Sequence, residues 1–311
     1  VNIDISHLGE PYFSFQQKLI DLFSDLVSSG KKVACIFNTV EKAQNFYNSL
    51  PKDFPKYLFH ARYIYRDRVN KLTELKNKLN KGPLVVVSTQ AIEAGVNVSF
   101  DIMFRELAPF DSIIQSAGRV NRFNENSFPC PVYNFGDEND YLPYEKFQLK
   151  ITEEILINLE IESEFNLLIN LREYWKKIEN YLSTKKKKAN ELYKAVKQLS
   201  PFSIDLKEEK IDLRDTYFKI SVIPIQFYDK IKNFYEKYNS YERKNFWEKK
   251  KISAEIESYM VEVPYWGKVG YKNLKDFLIT EKEFEYINCV DLKYDNELGL
   301  LFQQEDMPLR I

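Results

Sequence analysis

Cysteine is scarce: Cys35, Cys130 and Cys289 are the only three in 311 residues, they stand far apart, and no CxxC pair occurs. A disulfide framework and a zinc ribbon are thereby excluded, and a reducing, cytoplasmic setting is expected. Histidine is scarcer still. With only His7 and His60, a histidine–aspartate metal nuclease centre cannot be assembled from this chain, and no metal site is expected in it. No apolar run approaches the roughly 20 residues that span a bilayer, and the N-terminus has no basic stretch followed by an apolar one. Neither targeting nor a membrane is therefore expected. An excess of one charge is lacking too: 45 Lys+Arg against 46 Asp+Glu leave a formal net charge of −1, which excludes a wholly basic nucleic-acid coat and an acidic disordered tail. What is plentiful is core material. A hydrophobic share of 44% and an aromatic share of 15% can fill roughly two domains at this length. Val1 in place of an initiator Met points to a chain cut from something longer.

From about residue 14 to 135, amphipathic segments alternate with short apolar runs, the pattern of helices crossing a parallel sheet. Phe15, Leu19, Leu22 and Leu26 form a helical stripe closed by Gly30, and Val33-Ala34-Cys35-Ile36-Phe37 follows as a buried strand. Asn38-Thr39 opens a second helix carrying Ala43, Phe46, Tyr47 and Leu50 on one face. Tyr57-Leu58-Phe59, Leu84-Val85-Val86-Val87, Asp101 to Arg105 and Pro131 to Phe135 complete a set of about five strands, with a charged helix from Arg66 to Leu79 between the second and third.

Past Asp140 the pattern changes. Residues 145 to 200 are charged and helical in character, contain Trp175 and the run Lys185 to Lys188, and predict a helical linker. From Ser200 on, short apolar stretches (Phe218 to Ile225, Ser258 to Val263, Tyr286 to Leu292) are punctuated by Pro224, Pro264, Gly267 and Gly299, as in a small mixed domain. The expected organisation is a parallel α/β lobe over 1–140, a linker over 141–200 and an accessory domain over 201–311.

The segment richest in chemistry is Ser88-Thr89-Gln90-Ala91-Ile92-Glu93-Ala94-Gly95-Val96-Asn97, directly after the valine-rich strand. A loop at the C-terminal end of a parallel strand is where such sheets place ligands. Gln115 to Arg122 follows on an expected helix, where Gln115, Arg119 and Arg122 would share one face. Two guanidinium groups aimed one way call for an anion between them, and Gly118 beside them permits close backbone approach.

These segments resemble motifs V and VI of superfamily 2 helicases, and their wording is most similar to the CRISPR-associated helicases of type I interference systems. Phe100-Asp101 matches the pair that follows motif V there, and Glu106-Leu107-Ala108-Pro109 fits the family's spacing. Upstream, Phe37-Asn38-Thr39-Val40 resembles motif IV, and His60-Ala61-Arg62 with Arg68 resembles the segment after it. The resemblance is tight over 31–135. Over 201–311 it is loose, resting on Val261-Glu262-Val263-Pro264 and on Tyr294 to Leu300. Four motifs in order make a specific signal where one would not.

The resemblance implies a second RecA-like lobe. In it Arg119 and Arg122 would act as arginine fingers on the γ-phosphate of ATP, with its Mg2+, held by a first RecA-like lobe on other sequence. Gln115, Gly95 and Asn97 would contact the nucleotide; Asn97 stands where the family has an aspartate on the ribose, and an amide still bonds a hydroxyl. Thr39, His60, Arg62, Ser88, Thr89, Gln90 and Glu93 would line a track for single-stranded DNA phosphates. Two of these have plainer readings: His60 as a packed histidine, and Glu93 as a helix-start carboxylate. Implied partners are an HD-type nuclease domain or subunit and a CRISPR surveillance complex.

A P-loop is missing. Gly30-Lys31 has Asp25 where the first glycine of a phosphate-wrapping loop belongs and Lys32 after it. Asp137-Glu138 looks like a Walker B pair but comes after motif VI, the wrong order. The function expected is the C-terminal half of an ATP-dependent single-stranded DNA translocase. Two other readings stay open: a different superfamily 2 DNA or RNA helicase, and a non-catalytic motor remnant that docks partners. The lysine run is a solvated face or a phosphate contact.

Overall fold

A computed structural model of the chain describes residues 2–8, 12–93, 96–123, 131–136, 143–158, 164–184, 218–242, 245–266, 278–279 and 288–302. Its centre is a parallel sheet of strands β1 (Asn2–Leu8), β2 (Lys32–Ile36), β3 (Lys56–Phe59), β4 (Leu84–Ser88), β5 (Ile102–Glu106) and β6 (Pro131–Gly136). The order is β1-β6-β5-β2-β4-β3, and every neighbouring pair runs parallel. The five strands expected from periodicity are all present. A sixth, β1, adds itself along β6 at one edge.

Because both faces of the sheet are covered, its central strands carry continuous buried apolar runs, Val33 to Ile36 in β2 and Leu84 to Val87 in β4. Alternate residues point opposite ways. Val33, Cys35, Phe37, Val85, Val87 and Phe104 pack with Leu19 and Phe23 of helix α1 (Tyr12–Ser28) and with Ala43 and Phe46 of α2 (Val40–Ser49). Ala34, Ile36, Val86 and Met103 pack on the other face. There they meet Leu75 and Leu79 of α3 (Tyr65–Lys81) and Ile113 of α4 (Phe110–Ala117). Gly30, at φ +80°, ends α1: its N–H bonds Val27 O at 2.9 Å and the next N–H bonds Leu26 O at 3.0 Å. Those two bonds form a Schellman motif, in which the left-handed position favours glycine. Thr39 caps α2 by accepting the Lys42 N–H at 3.3 Å.

The linker expectation for 141–200 is corrected. Helices α5 (Lys146–Ile157) and α6 (Glu164–Thr184) lie on the lobe, and their Leu149, Ile155, Leu156, Leu167, Tyr174 and Ile178 belong to the same core as Val86 and Phe110. Charged outer faces hide this stripe in the sequence, although the Glu145–Gln148 capping box marks where α5 begins. The run 185–188, and the pair Asp137-Glu138, fall outside the described residues.

The C-terminal region is the small mixed unit expected. Strands β7 (Phe218–Pro224), β8 (Val261–Trp266), β9 (Leu278–Ile279) and β10 (Asn288–Val290) order as β8-β7-β10-β9, with β10 parallel to β7 and the other pairs antiparallel. Helices α7 (Tyr228–Ser240) and α8 (Phe246–Glu257) pack Ile231, Ile252 and Ile256 against Val222, Val261 and Val290. A hairpin of β11 (Tyr294–Asp295) and β12 (Gly299–Leu300) follows. This third core also takes in Ile64, from the lobe, so the two units share apolar contact.

Candidate functional site

The C-terminal ends of β2, β4 and β5 converge on a buried polar network. Arg105, wholly enclosed, projects from β5. Its Nη1 donates to Asn38 Oδ1 at 2.6 Å and to Glu106 O at 3.0 Å, and its Nη2 donates to Tyr144 Oη at 3.2 Å. Its Nε lies 3.1 Å from Glu93 Oε1, an ion pair without hydrogen-bond alignment. Glu106 accepts the Asn38 N–H at 2.7 Å and pairs with Lys42. Gln90 donates to Asn38 O at 3.1 Å and to Tyr144 Oη at 2.7 Å. Burial alone would lower the pKa of Arg105, but Tyr144, Glu93 and Glu106 outweigh it and hold the value above normal. A buried cation flanked by two carboxylates needs hydrogen bonds on its remaining donors, and here Nη1 and Nη2 have them. Its effect is positional: motif IV, motif V and β5 are tied into one block.

Arg105 and Tyr144 are not among the expected site residues. A signal for Arg105 is present, a cation adjoining the apolar run Ile102-Met103-Phe104. For Tyr144 no such signal exists.

The motif VI arginines lie differently from the expectation. Helix α4 ends at Ala117, so Gln115, Arg119 and Arg122 do not share a helical face. The chain leaves the helix to pair with the loop before β5: Phe100 N–H donates to Arg119 O at 2.9 Å, and Asn121 N–H to Phe100 O at 2.8 Å. Asn121 takes φ +49° to make that turn, a conformation asparagine tolerates. Gln115 is exposed on α4, Arg119 is half-buried and Arg122 is exposed. Arg119 donates from Nη2 to the backbone carbonyl of Glu93, and among the described residues no carboxylate pairs with it. Its Nε is enclosed and has no hydrogen-bond partner. Arg122 N–H donates to Ser99 Oγ at 3.0 Å. Beside that bond lies a cavity of about 250 Å³ lined by Lys32, Asn80, Asn97, Ser99 and Phe123 among others. Asn97 is thus exposed next to the arginine turn; Gly95 lies outside the described residues.

The residues of the expected DNA track divide. Thr39 is half-buried with its hydroxyl capping α2, and Gln90 spans Asn38 and Tyr144. Thr89 is 4% exposed, and Ser88 is enclosed with its hydroxyl on Phe59 O at 2.6 Å. Glu93 is 6% exposed, paired with Arg105 and accepting the Ser116 hydroxyl at 2.7 Å, so the carboxylate faces inward.

Arg62 is a correction, and His60 takes the packed one of its two readings. His60 is 0% exposed, stacked on Tyr63 with ring centroids 4.3 Å apart, and its Nε2 meets Leu298 O at 3.0 Å. Arg62 pairs with Glu41, lies over the Phe302 ring and accepts Leu300 N–H at its carbonyl at 2.9 Å. The β11–β12 hairpin covers both, so neither presents a surface to a strand.

The hairpin and the lobe are fitted closely. Tyr63 Oη donates to Glu297 O at 2.6 Å, Gln44 Nε2 to Leu298 O at 2.6 Å, and Tyr294 Oη to Asp67 at 2.5 Å. Arg66 adds Tyr259 at 2.7 Å and Glu255 at 2.7 Å. Gly299, at φ +78°, passes so near that a Cβ there would stand 2.6 Å from Arg62 O and 2.8 Å from His60 Cε1. Two of the stretches that carry the family resemblance, 60–62 and 294–300, are therefore one interface. Among the described residues no group of three or more His, Cys, Asp or Glu is placed to hold a metal ion, and no helix is long and apolar enough to cross a membrane.

Comparison with known proteins agrees with this geometry. Residues 29–125 match the family model described as CRISPR-associated nuclease/helicase Cas3, C-terminal. Methanothermobacter thermautotrophicus CRISPR-associated nuclease/helicase Cas3 is 30% identical over 157 residues, 48% of this chain and 19% of that protein. The match therefore spans less than a fifth of that relative. A crystal structure of T. fusca Cas3 with ATP superposes at a TM-score of 0.66 with 14% identity, over 97% of this chain and 40% of that one. A CRISPR RNA-guided surveillance complex in a pre-nicking state contains a chain that superposes at 0.58 with 16% identity, over 98% of this chain and 42% of that one. Motifs IV to VI in order, a family model matching across residues 29–125 and the same fold beyond make this chain similar to the C-terminal half of the Cas3 helicases.

Proposed function

We propose that this chain is the C-terminal half of an ATP-driven translocase on single-stranded DNA, acting in CRISPR interference and completed by a first RecA-like lobe that binds ATP and Mg2+. The observation that carries this reading is the state of Arg119. A guanidinium fixed by a carbonyl, with no carboxylate on it among the described residues and an enclosed Nε lacking a partner, keeps its full charge for an anion from outside the chain. Arg122 and Asn97 border the same turn. As arginine fingers, Arg119 and Arg122 would stabilise the charge that develops on the γ-phosphate, while Asn97 would bond the ribose. Gln115 is exposed on the preceding helix and would help position the nucleotide.

The buried Arg105 network supports the coupling such a motor needs, because it ties Asn38 beside Thr39 to Gln90 and Glu93 beside Arg119. Thr39, at a strand end, would offer its hydroxyl, and the Thr89 to Gln90 turn its backbone N–H groups, to phosphates. A surveillance complex and an HD-type nuclease are the partners this reading carries.

The test is reconstitution with the first lobe. Alone, the chain is expected to show no ATP turnover after repurification. Restored, Arg119→Ala or Arg122→Ala should lower turnover by about 10³-fold or more with folding intact. An unchanged rate in both variants would remove the arginines from the site.

A further inference from the structure

The start of α8, on the C-terminal domain, has a surface the proposed motor does not use. Phe246 is 60% exposed and Trp247 67% exposed, the highest value among the large exposed hydrophobics there. Their rings stand 5.3 Å apart at 74°. The core is supplied by the opposite side of the helix, through Ile252 and Ile256, so packing does not account for two neighbouring aromatics in solvent. Lys249, Lys250 and Lys251 come next. Each aromatic has a lysine four residues on, Phe246 with Lys250 and Trp247 with Lys251, which places aromatic and cation together on the helix surface. Lys250 Nζ lies 5.5 Å from the Trp247 ring centroid, and Lys249 Nζ 4.7 Å from that of Tyr238 on α7. Among the described residues no carboxylate pairs with these three lysines; Glu248 and Glu242 flank them, both exposed.

We infer that this patch is a second contact for single-stranded nucleic acid, with bases stacking on Trp247 and Phe246 and the phosphates meeting Lys249, Lys250 and Lys251. The chemistry distinguishes this ligand from others. Exposed aromatic rings beside cations match a strand whose bases are unstacked, whereas a duplex keeps its base faces covered. The centre of a protein interface is depleted in lysine. A membrane-surface helix needs an apolar face along its length, but the exposed side of α8 beyond its first turn carries Lys250, Lys251, Glu255 and Glu257. The patch depends on neither the arginine fingers nor the first lobe, so its fate in experiment is separate from theirs.

The test uses the full chain and a labelled oligothymidylate of about 15 nucleotides, near the upper limit of such sites. Phe246→Ala with Trp247→Ala should weaken binding by about tenfold or more. Trp247→Phe should retain most of the affinity while abolishing the quenching of tryptophan emission that the oligomer causes. Lys250→Gln with Lys251→Gln should flatten the salt dependence by about 0.7 for each phosphate no longer neutralised. Circular dichroism should be unchanged in all three, since the side chains replaced are outside the core. Binding and quenching that survive the double aromatic variant would overturn the assignment. So would duplex bound as tightly as single strand, or a patch whose loss changes only self-association.

Discussion

Replacing Gly299 by alanine tests whether the C-terminal hairpin is locked onto the lobe as the structure places it. At φ +78° an L-residue carries a backbone penalty of about 1–2 kcal/mol. The added methyl would also stand 2.6 Å from the Arg62 carbonyl oxygen, 3.1 Å from its carbon and 2.8 Å from His60 Cε1. Arg62 O cannot withdraw freely, because it accepts Leu300 N–H at 2.9 Å, and His60 is held between Tyr63 and Leu298. Overpacking of this kind costs about 1–3 kcal/mol. The stiffer unfolded chain returns about 0.4–1 kcal/mol. The net expectation is a loss of roughly 3 kcal/mol, limited by the alternative of releasing the hairpin and its bonds from Tyr63, Gln44 and His60, worth about 1 kcal/mol each. Urea unfolding measures the total, and hydrogen exchange at Leu300 reads the release directly. Gly82→Ala is the control: a Cβ added at Gly82 would meet nothing within 4 Å, so this change should be nearly neutral. A Gly299→Ala protein within about 0.5 kcal/mol of the parent, with Leu300 still protected, would refute the lock.

Three further outcomes are expected. Burial first, and then the Arg62 guanidinium, hold the His60 pKa well below its ordinary 6.5; Arg62 N–H donates to Nδ1 at 3.1 Å, so the neutral ring donates from Nε2 to Leu298 O. The unfolded chain then takes up the proton first. Stability from this group is full above about pH 6.5 and falls below it, by up to about 1.4 kcal/mol per pH unit; His60→Gln should remove that slope between about pH 7 and 5, and an identical slope would contradict it. Arg105→Gln leaves the Glu93 carboxylate buried without its cation and should cost about 3–5 kcal/mol in urea unfolding, part of it recovered by adding Glu93→Gln; no recovery in the double variant would count against the pairing. Tyr294→Phe strips the acceptor from Ile64 N–H, 3.3 Å away, and the donor from Asp67, and should cost about 1–3 kcal/mol, a calorimetric shift that Tyr65→Phe, at an exposed ring on α3, should not reproduce.

What the sequence determined by itself was everything set by short-range pattern. Val85 to Val87 could only be a strand covered on both faces, Gly30 could only stop α1, and motifs IV to VI marked the loops at the strand ends, because periodicity, caps and turns are written within a few residues of where they act. The tertiary structure decided which polar groups find each other. Arg119 left the helix because Phe100 drew its backbone into a bridge, Glu93 turned inward because Arg105 lies beneath it, and α5 and α6 joined the lobe because its sheet face needed cover. The family resemblance set His60 and Arg62 on a DNA track, while His60 alone also read as a packed histidine. They are the floor of an interface, because Leu298, 238 residues further on, lands against His60. A buried polar side chain takes its role from the partner that satisfies it, and no local pattern around residue 60 contains that partner.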